Sequence, residues 1–378
     1  MASFSLGSCS TVLGLDIGTN HVRLAQVRPE GALFHLQRYG AVGVPLGAVV
    51  EGEILDVEAV AASIRELMRA TGVRGAEVCV GVSNQKVVVR LIDLPYMERS
   101  ELEGAIQYQA QDYIPIPIEE AILDFQVLGD YMTSADEHMM EVLLVAAQRD
   151  MIDTTVSAVE RAGLKLRQVD VTSFAVVRGL LGVSQSVLPD EAEVAGEATG
   201  IVHMTGGITN IAVVERGLPR FTRVSGLAGD DLTQAVANSL NIPFDEAEEL
   251  KVRVGLPAVD QQDISADLTG EIDPEKAKAA QEALEREVGK FIAEIRRSLD
   301  YYLTQASQVR SIRRILLTGS SVQLRNLDSY LEKGLQAKVE FADPLRWLTI
   351  PPQYQQIMQA DRMGSTAAVG LAMGSVIA

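Results

Sequence analysis

Residues 11–27, TVLGLDIGTNHVRLAQV, hold the pattern that decides the fold. Two short apolar runs flank Asp16-Ile17-Gly18-Thr19-Asn20, an arrangement typical of two β-strands joined by a turn. Gly18 lets the chain reverse direction tightly. The pattern predicts a hairpin, and not the strand–turn–helix unit that opens a dinucleotide-binding fold.

The hairpin pattern returns in the second half of the chain. Residues 198–214, ATGIVHMTGGITNIAVV, match residues 11–27 at an offset of 187, which places Gly18 over Thr205 and Thr19-Asn20 over Gly206-Gly207. Any two strand–turn–strand segments can be overlaid in this way, so the hairpins alone leave duplication open. The acidic segment 184–199, with Pro189 and Gly196, predicts a surface loop or linker between the two halves.

The remaining segments alternate between helix and strand patterns, which predicts an α/β protein. Asp56 is the expected N-cap of the first helix and Gly72 its stop. Predicted helices cover residues 57–71, about 99–113, 151–162 and about 274–308, and predicted strands cover 78–82, 86–91, 140–147 and 165–171.

Length and composition exclude several classes of protein. The 378 residues suffice for roughly two or three domains. Thirty-three basic residues against 51 acidic ones give a net charge of −18, which argues against nucleic acid and anionic lipid as partners. Since we find neither a long apolar run nor a signal-peptide pattern, we expect a cytoplasmic chain. Cys9 and Cys79 form no metal or disulfide framework, and Cys79 is expected in the core.

Three turns offer the chemistry that a nucleoside triphosphate requires. Backbone N–H groups and small residues can approach phosphates, and a carboxylate can order Mg²⁺. Asp16 is the candidate metal ligand. The other candidate binding residues are Gly18, Thr19, Asn20 and Arg23 in the first hairpin, Gly206, Gly207 and Thr209 in the second, and Gly319, Ser320 and Ser321 in a strand-to-helix turn that could admit a flat purine.

The order of these motifs resembles the actin and sugar-kinase superfamily of ATP-binding proteins. Within it the sequence is most similar to the PilM family of type IV pilus assembly proteins, relatives of the cell-division protein FtsA. The residues that carry this likeness are Tyr113–Pro117 before Asp124-Phe125, the segment Arg296–Tyr302, and Ala367–Ala372 near the end.

The resemblance implies a duplicated actin-like (ribonuclease H-like) fold of two lobes, with an inserted αβ subdomain of the FtsA type. The first lobe would comprise residues 11–82 and 167–195 and be closed by 362–378. The insert would span 83–166, and the second lobe 198–361, with a helical subdomain at about 241–310.

The resemblance also implies roles for single residues and two cofactors, ATP and Mg²⁺. Asp170 matches a residue that positions the attacking water, and Arg23 falls where relatives carry a phosphate-contacting lysine. Gly229-Asp230 matches a glycine–aspartate turn, Glu248 and Lys251 match residues that contact the nucleoside, and Gly319-Ser320-Ser321 matches the adenosine motif.

The second phosphate motif departs from the family pattern. Its usual aspartate and glycine are replaced by His203 and Thr205. Loss of a carboxylate near Mg²⁺ removes a group that orders the metal and its water. We therefore expect ATP to be bound and to be hydrolysed weakly or not at all.

By resemblance, the partner is the N-terminal cytoplasmic tail of the inner-membrane protein PilN. Other proteins of the pilus platform and self-association are further expected contacts, and the membrane is reached only through partners. The tail is expected in a groove beside the insert, with the Tyr113–Pro117 corner as the first candidate surface. The alternatives are an FtsA-like filament, a small-molecule kinase and a scaffold that works without nucleotide.

Overall fold

The computed structural model describes residues 12–182, 197–259, 272–306, 309 and 311–376. Its first large sheet has six strands, in the order β10 (Lys165–Val171), β6 (Glu77–Val82), β1 (Leu13–Ile17), β2 (His21–Glu30), β3 (Leu33–Gly43) and β16 (Leu348–Thr349). The second has five, in the order β13 (Leu218–Ser225), β12 (Thr209–Glu215), β11 (Glu197–Met204), β14 (Ser311–Thr318) and β15 (Lys338–Phe341).

Two smaller sheets, ten α-helices and a short 3-10 helix at Ile118–Glu120 complete the described part of the chain. The sheets contain β7 (Val87–Pro95), β9 (His138–Gln148) and β8 (Ala121–Met132), in that order, and the pair β4 (Val49–Val50) and β5 (Glu53–Ile54). The helices are α1 (Val57–Thr71), α2 (Arg99–Ala110), α3 (Arg149–Arg161), α4 (Thr172–Leu181), α5 (Gly229–Leu240), α6 (Phe244–Val254), α7 (Pro274–Gln305), α8 (Leu327–Leu335), α9 (Pro352–Ala360) and α10 (Thr366–Gly374).

The two large sheets repeat one topology. The first contains β3-β2-β1-β6-β10 and the second β13-β12-β11-β14-β15, with three antiparallel strands followed by two parallel ones in each. The turns repeat as well, since the N–H of Gly18 bonds the carbonyl of His21 and the N–H of Thr205 bonds that of Ile208, both at 2.9 Å. The predicted α/β fold with two duplicated lobes is confirmed.

Most predicted elements agree with the structure to within a few residues. Helix α1 has the predicted bounds: Asp56 accepts a bond of 3.0 Å from the N–H of Ala59, and Gly72 ends the helix at φ 70°. Helix α2 ends at Ala110, three residues early, because Pro115 lacks an N–H and disfavours helical backbone before it. Most of the predicted 184–199 linker and the predicted helix residues 307–308 lie outside the described residues.

The lobes and insert differ in detail from the predicted ranges. Helix α3, inside the predicted insert, packs Ala158 and Val159 into the core of the first lobe beside α1. The three-stranded sheet and α2 instead share a separate core around Leu102 and Leu144. Strand β16 pairs with β3, so the chain re-enters the first sheet before residue 361. The predicted strand-to-helix turn at 319–321 is followed by helix only from Leu327.

Helix α10 closes the first lobe. Its residues Thr366–Met373 are buried, and it packs against α4, β1 and β2. A methyl group at Gly370 would overlap the carbonyl of Ala175, and one at Gly14 would overlap that of Ala368, so the backbones approach closely. Cys79 packs nearby in the core as predicted, and burial raises the pKa of its thiol to about 12.

None of the helices within the described ranges combines the length and apolar character needed to cross a membrane.

We expect Gly370→Ala to lower the free energy of unfolding by about 1–3 kcal/mol, because the added methyl overlaps backbone that cannot rotate away. Urea unfolding followed by circular dichroism measures this. Gly289→Ala, on an exposed face of α7 where the added methyl meets open space among the described residues, is the control, with an expected gain of up to about 1 kcal/mol. Equal stability of the two variants would contradict the packing of α10.

Candidate functional site

The two hairpin turns face each other across one narrow cavity. Asn20 Nδ2 donates a 3.1 Å hydrogen bond to Asp230 Oδ1, and a methyl group at Gly207 would overlap the Thr19 hydroxyl. Sequence segments about 190 residues apart therefore meet directly. Described residues that line the cavity include Asp16, Gly18, Thr19, Asn20, Arg23, Ser83, Thr172, His203, Thr205, Gly206, Asn210, Ser320 and Gly364.

Asp16 and Arg23 form the charged wall of the cavity. They are cross-strand neighbours on β1 and β2 and are both buried. Arg23 donates two hydrogen bonds to Asp361, Nε to Oδ2 at 2.8 Å and Nη2 to Oδ1 at 3.1 Å, and Tyr39 donates a third at 2.5 Å. A methyl group at Gly364 would lie 2.7 Å from Nη2, so the guanidinium is fixed in place.

Burial shifts the titration of two residues on opposite walls. Desolvation raises the pKa of Asp16 to about 6, although the nearby Arg23 opposes the shift. Desolvation, with a contribution from Arg23, lowers the pKa of His203 to about 4. At neutral pH His203 is therefore an uncharged imidazole, and Asp16 is mostly a carboxylate.

The second hairpin contributes a neutral polar wall. His203 and Asn210 are cross-strand neighbours on β11 and β12, and each is about 2% exposed. Ser83 and Ser173 both donate to Asn210 Oδ1, at 2.6 and 3.0 Å. Within the described ranges, His203 Nδ1 and Asn210 Nδ2 have no hydrogen-bond partner.

The start of α5 lies between the second turn and the two residues predicted to contact the nucleoside, Glu248 and Lys251. The N–H groups of Gly229 and Asp230 donate to the carbonyls of Thr205 and Gly206 at 3.0 and 2.8 Å. One turn of α5 further on, the Lys251 ammonium donates to Thr233 Oγ1 at 2.8 Å and to Glu248 Oε2 at 2.6 Å. Lys251 is buried, so this ion pair is part of the packing between α5 and α6.

A third turn, at residues 319–321, lies against the second hairpin. The N–H of Ser321 donates to the carbonyl of Met204 at 3.1 Å, and a side chain at Gly229 would overlap Ser321. Gly319 has φ 109°, and a methyl group there would overlap the backbone of Met204. Only glycine fits this position.

The structure brings most of the predicted residues to the cavity or to its edge. Seven line it: Asp16, Gly18, Thr19, Asn20, Arg23, Gly206 and Ser320. Five others lie at its edge, where they contact Thr19, Asn20, Met204 or one another: Gly207, Gly229, Asp230, Gly319 and Ser321. Thr209 instead donates its hydroxyl to the carbonyl of Leu227 at 2.9 Å. Glu248 and Lys251 lie behind α5.

Asp170, whose implied role is to position the attacking water, is not among the described residues that line the cavity. It sits near the end of β10, where its carboxylate forms an ion pair with Arg178 and accepts a 2.7 Å bond from the N–H of Val171. Arg178 also donates to the carbonyl of Gly370 on α10. These contacts tie Asp170 to the core of the first lobe, and Thr172, two residues later, lines the cavity instead.

Sequence reasoning missed Tyr39, Ser83, Ser173, Asn210 and Asp361. One of them had a signal, because the offset of 187 that aligns the hairpins places Arg23 over Asn210. Asp361 had none, since it lies 338 residues from Arg23 in the chain.

The residues present fit a magnesium ion held together with phosphates. Within the described part of the chain no three His, Cys, Asp or Glu side chains cluster as a metal site. Mg²⁺ commonly takes one or two carboxylates and completes its shell with phosphates and water, for which Asp16 suffices. The cavity volume of about 40 Å³ holds a few water molecules, so a nucleotide fits only when side chains at the two turns move aside.

Comparison with known proteins identifies relatives across the whole chain. A family model described as type IV pilus assembly protein PilM matches residues 14–376. A solved PilM-PilN type IV pilus biogenesis complex has a TM-score of 0.79 and 26% identity, covering 97% of this chain and 98% of that one. MreB5 of Spiroplasma citri bound to ADP, at 12% identity and TM-score 0.51 over 95% and 94% of the two chains, shares the fold.

Cell-division proteins of the FtsA type are also similar in sequence. FtsA of Pseudomonas aeruginosa is 25% identical over 265 residues, which is 66% of this chain and 62% of that protein. FtsA of Bacillus subtilis is 23% identical over 376 residues, 90% of this chain and 80% of that protein. The match therefore spans less than two thirds of the P. aeruginosa protein.

The raised pKa of Asp16 predicts a pH-dependent stability. Because the folded chain binds this proton more tightly than the unfolded chain, whose pKa is 3.8, the stabilisation is complete below pH 3.8 and is lost as the pH rises through about 6. Near pH 7.5 we expect the free energy of unfolding of Asp16→Asn to exceed that of wild type by up to about 3 kcal/mol. This difference should shrink towards pH 4.5.

Urea unfolding at several pH values measures this difference. His203 has the opposite effect, because its lowered pKa destabilises the fold as the pH falls from 6.5 towards about 4. Both proteins contain His203, so its contribution cancels when the wild-type free energies are subtracted from those of the variant. Asp112→Asn, at an exposed position, is the matched control. A pH-independent difference between Asp16→Asn and wild type would contradict the assignment.

Proposed function

The chain belongs to the family of type IV pilus assembly protein PilM, and from this premise we propose that it binds ATP between its two lobes and grips the N-terminal tail of a PilN-like partner. The observation that carries the ATP proposal is the meeting of two glycine-containing turns across a cavity that holds Asp16. Phosphates bind where small residues expose backbone N–H groups. MreB5, which shares the fold, is described as bound to ADP, and this agrees with a nucleotide site.

Each wall of the cavity has its own part in binding. Gly18, Thr19 and Asn20 in one turn and Gly206 and Gly207 in the other would contact phosphates from two sides. Magnesium, when bound, offsets phosphate charge, and Asp16 is the residue that would hold it. Since the turns touch, binding would move the Asn20 side chain away from Asp230, while the lobes stay joined where Ser83 and Ser173 bond Asn210.

The nucleoside end of the site is proposed along α5 and the 319–321 turn. The closely packed backbones of Gly229 and Gly319 leave a smooth wall next to the second hairpin, and Ser320 lines the cavity there. Glu248 and Lys251 are already paired to each other behind α5. They would act on the nucleoside only if that pair opens, and otherwise they hold α5 in place.

Binding without rapid turnover is the form of activity that the residues favour. General base catalysis needs a proton acceptor within hydrogen-bond reach of the attacking water. Asp170 is engaged by Arg178, and His203 replaces the carboxylate of the second phosphate motif. We therefore propose that ATP stabilises a closed form for assembly, with weak hydrolysis at most.

The proposed PilN site is the groove between the insert and the second lobe. Its two sides are β7 and β13, each of which is an edge strand of its sheet. An extended peptide can add to such an edge through backbone hydrogen bonds and place alternate side chains in apolar pockets. The groove measures about 400 Å³ and is lined by residues that include Val87, Val88, Val89, Pro115, Phe221 and Tyr301. Pro115 belongs to the Tyr113–Pro117 corner.

We place the chain on the cytoplasmic side of the inner membrane, held there by its partner. A net charge of −18 opposes direct contact with anionic lipid and nucleic acid. Other platform proteins and further copies of the chain are proposed as additional contacts. The proposal rests on family membership and on this charge.

Isothermal titration with ATP and Mg²⁺ tests the nucleotide site. We expect saturable binding to the wild-type chain, and a loss of about tenfold or more in Asp16→Ala because a charged contact to the metal is removed. Asp112→Ala should bind as wild type, since its side chain is exposed away from the cavity. No heat with wild type would favour a scaffold that works without nucleotide.

A synthetic peptide of the PilN N-terminal tail tests the groove. At a concentration of about 100 Kd the peptide should stabilise the chain by about 2.7 kcal/mol. ATP should raise the affinity for the peptide by the same factor by which the peptide raises the affinity for ATP. Tyr301→Ala should lower the affinity for the peptide by roughly tenfold, because aromatic side chains contribute much of the binding energy in such contacts. Tyr108→Ala, at an exposed position on α2, should have no effect, and equal losses in both variants would contradict this location.

A further inference from the structure

Asn210 connects the two lobes through one oxygen atom. Its Oδ1 accepts hydrogen bonds from Ser83, which follows β6, and from Ser173 at the start of α4. Both serines belong to elements packed on the first sheet, whereas Asn210 lies on β12 of the second. All three side chains are buried, so these bonds are shielded from water.

The other end of the same amide is an unsatisfied donor at the cavity. Asn210 is 2% exposed and lines the cavity, and its Nδ2 is without a partner among the residues that the structure describes. A buried N–H group is almost always paired with protein, water or ligand. The neighbouring His203 presents a second unpartnered nitrogen on the same face of the hairpin.

The duplication shows what this pair replaces. Asp16 and Arg23 are cross-strand partners in the first hairpin, and His203 and Asn210 are the corresponding partners in the second. A carboxylate–guanidinium pair in one lobe is thus a neutral imidazole–amide pair in the other. Arg23 is committed to Asp361, which leaves the amide of Asn210 as an uncommitted donor on a cavity that the Arg23 cation also lines. An anionic oxygen is the ligand that suits such a position.

We propose that Asn210 senses the terminal phosphate: its Nδ2–H binds a phosphate oxygen in the cavity, while its Oδ1 holds Ser83 and Ser173 of the other lobe. Occupancy of the cavity and closure of the lobes are thereby joined in one side chain. The inference deepens the proposed function, on which the identity of the anion as the end of ATP rests. Asn210 is a binding and positioning residue here, with no part in a bond-breaking step.

The test is Asn210→Asp, measured by isothermal titration with ATP, ADP and sodium pyrophosphate. The substitution keeps the shape and the acceptor for both serines but replaces the N–H donor with a carboxylate oxygen. We expect the affinity for ATP to fall by about tenfold or more, because one charge-assisted hydrogen bond becomes a repulsion between the carboxylate and the phosphate. Any preference for ATP over ADP should disappear.

Two further variants keep the result interpretable. Asn238→Asp makes the same chemical change on an exposed face of α5, and it should bind ATP as wild type. If Asn210→Asp does not fold, Asn210→Ser removes the same N–H without adding charge and should also abolish the preference for ATP. Ser83→Ala removes one hydrogen bond between the lobes and should lower the affinities for ATP and ADP by the same factor.

The outcomes separate this inference from the proposed function. Wild-type affinity for ATP and an unchanged ATP-to-ADP ratio in Asn210→Asp would overturn the inference and leave the nucleotide site standing. If wild type binds pyrophosphate but not ATP, and Asn210→Asp loses pyrophosphate, the oxyanion site is supported and the ATP proposal fails. If wild type binds none of the three probes, both are overturned.

Discussion

The turns of the two hairpins touch, with Asn20 bonded to Asp230 and Thr19 packed on the bare backbone of Gly207. Side chains larger than hydrogen at Gly206 or Gly207 would hold the turns apart, so the sequence of one turn limits the sequence of the other. This contact joins the lobes at the mouth of the cavity. It also places Asp16 and His203, each next to last in its strand, on opposite walls of one cavity.

The duplicated lobes share a backbone plan and differ in charge. In the first, Asp16 lies beside Arg23, which is bonded to Asp361, and Asp361 in turn accepts a hydrogen bond from Tyr39. In the second, the corresponding positions carry a neutral histidine and an asparagine. A symmetric pair of carboxylates would repel each other in so small a space and would bind a divalent cation strongly. The asymmetry leaves one carboxylate for a metal and leaves uncharged donors for an anion.

Patterns of neighbouring residues predicted the hairpins, the caps of α1 and the glycine turns, because local geometry alone determines them. Contacts between distant segments could not be predicted in this way. Arg23 fits a phosphate-binding role by position, yet its guanidinium is bonded to Asp361 from the far end of the chain. Asp170 likewise matches a catalytic position, but Arg178, two turns along α4, pairs with it. In both cases the deciding partner is set by packing.

The late position of α10 in the chain has a consequence for biosynthesis. Strand β1 packs against a helix that is translated long after it, with Gly14 against Ala368. Synthesis proceeds from the N-terminus, so the first sheet leaves the ribosome with one apolar face uncovered. The second lobe has all its strands by residue 341, but Ala212 and Leu316 share a buried cluster with Ala367 of α10, so this lobe depends on the same helix. Neither lobe can therefore complete its core until α10 has been made.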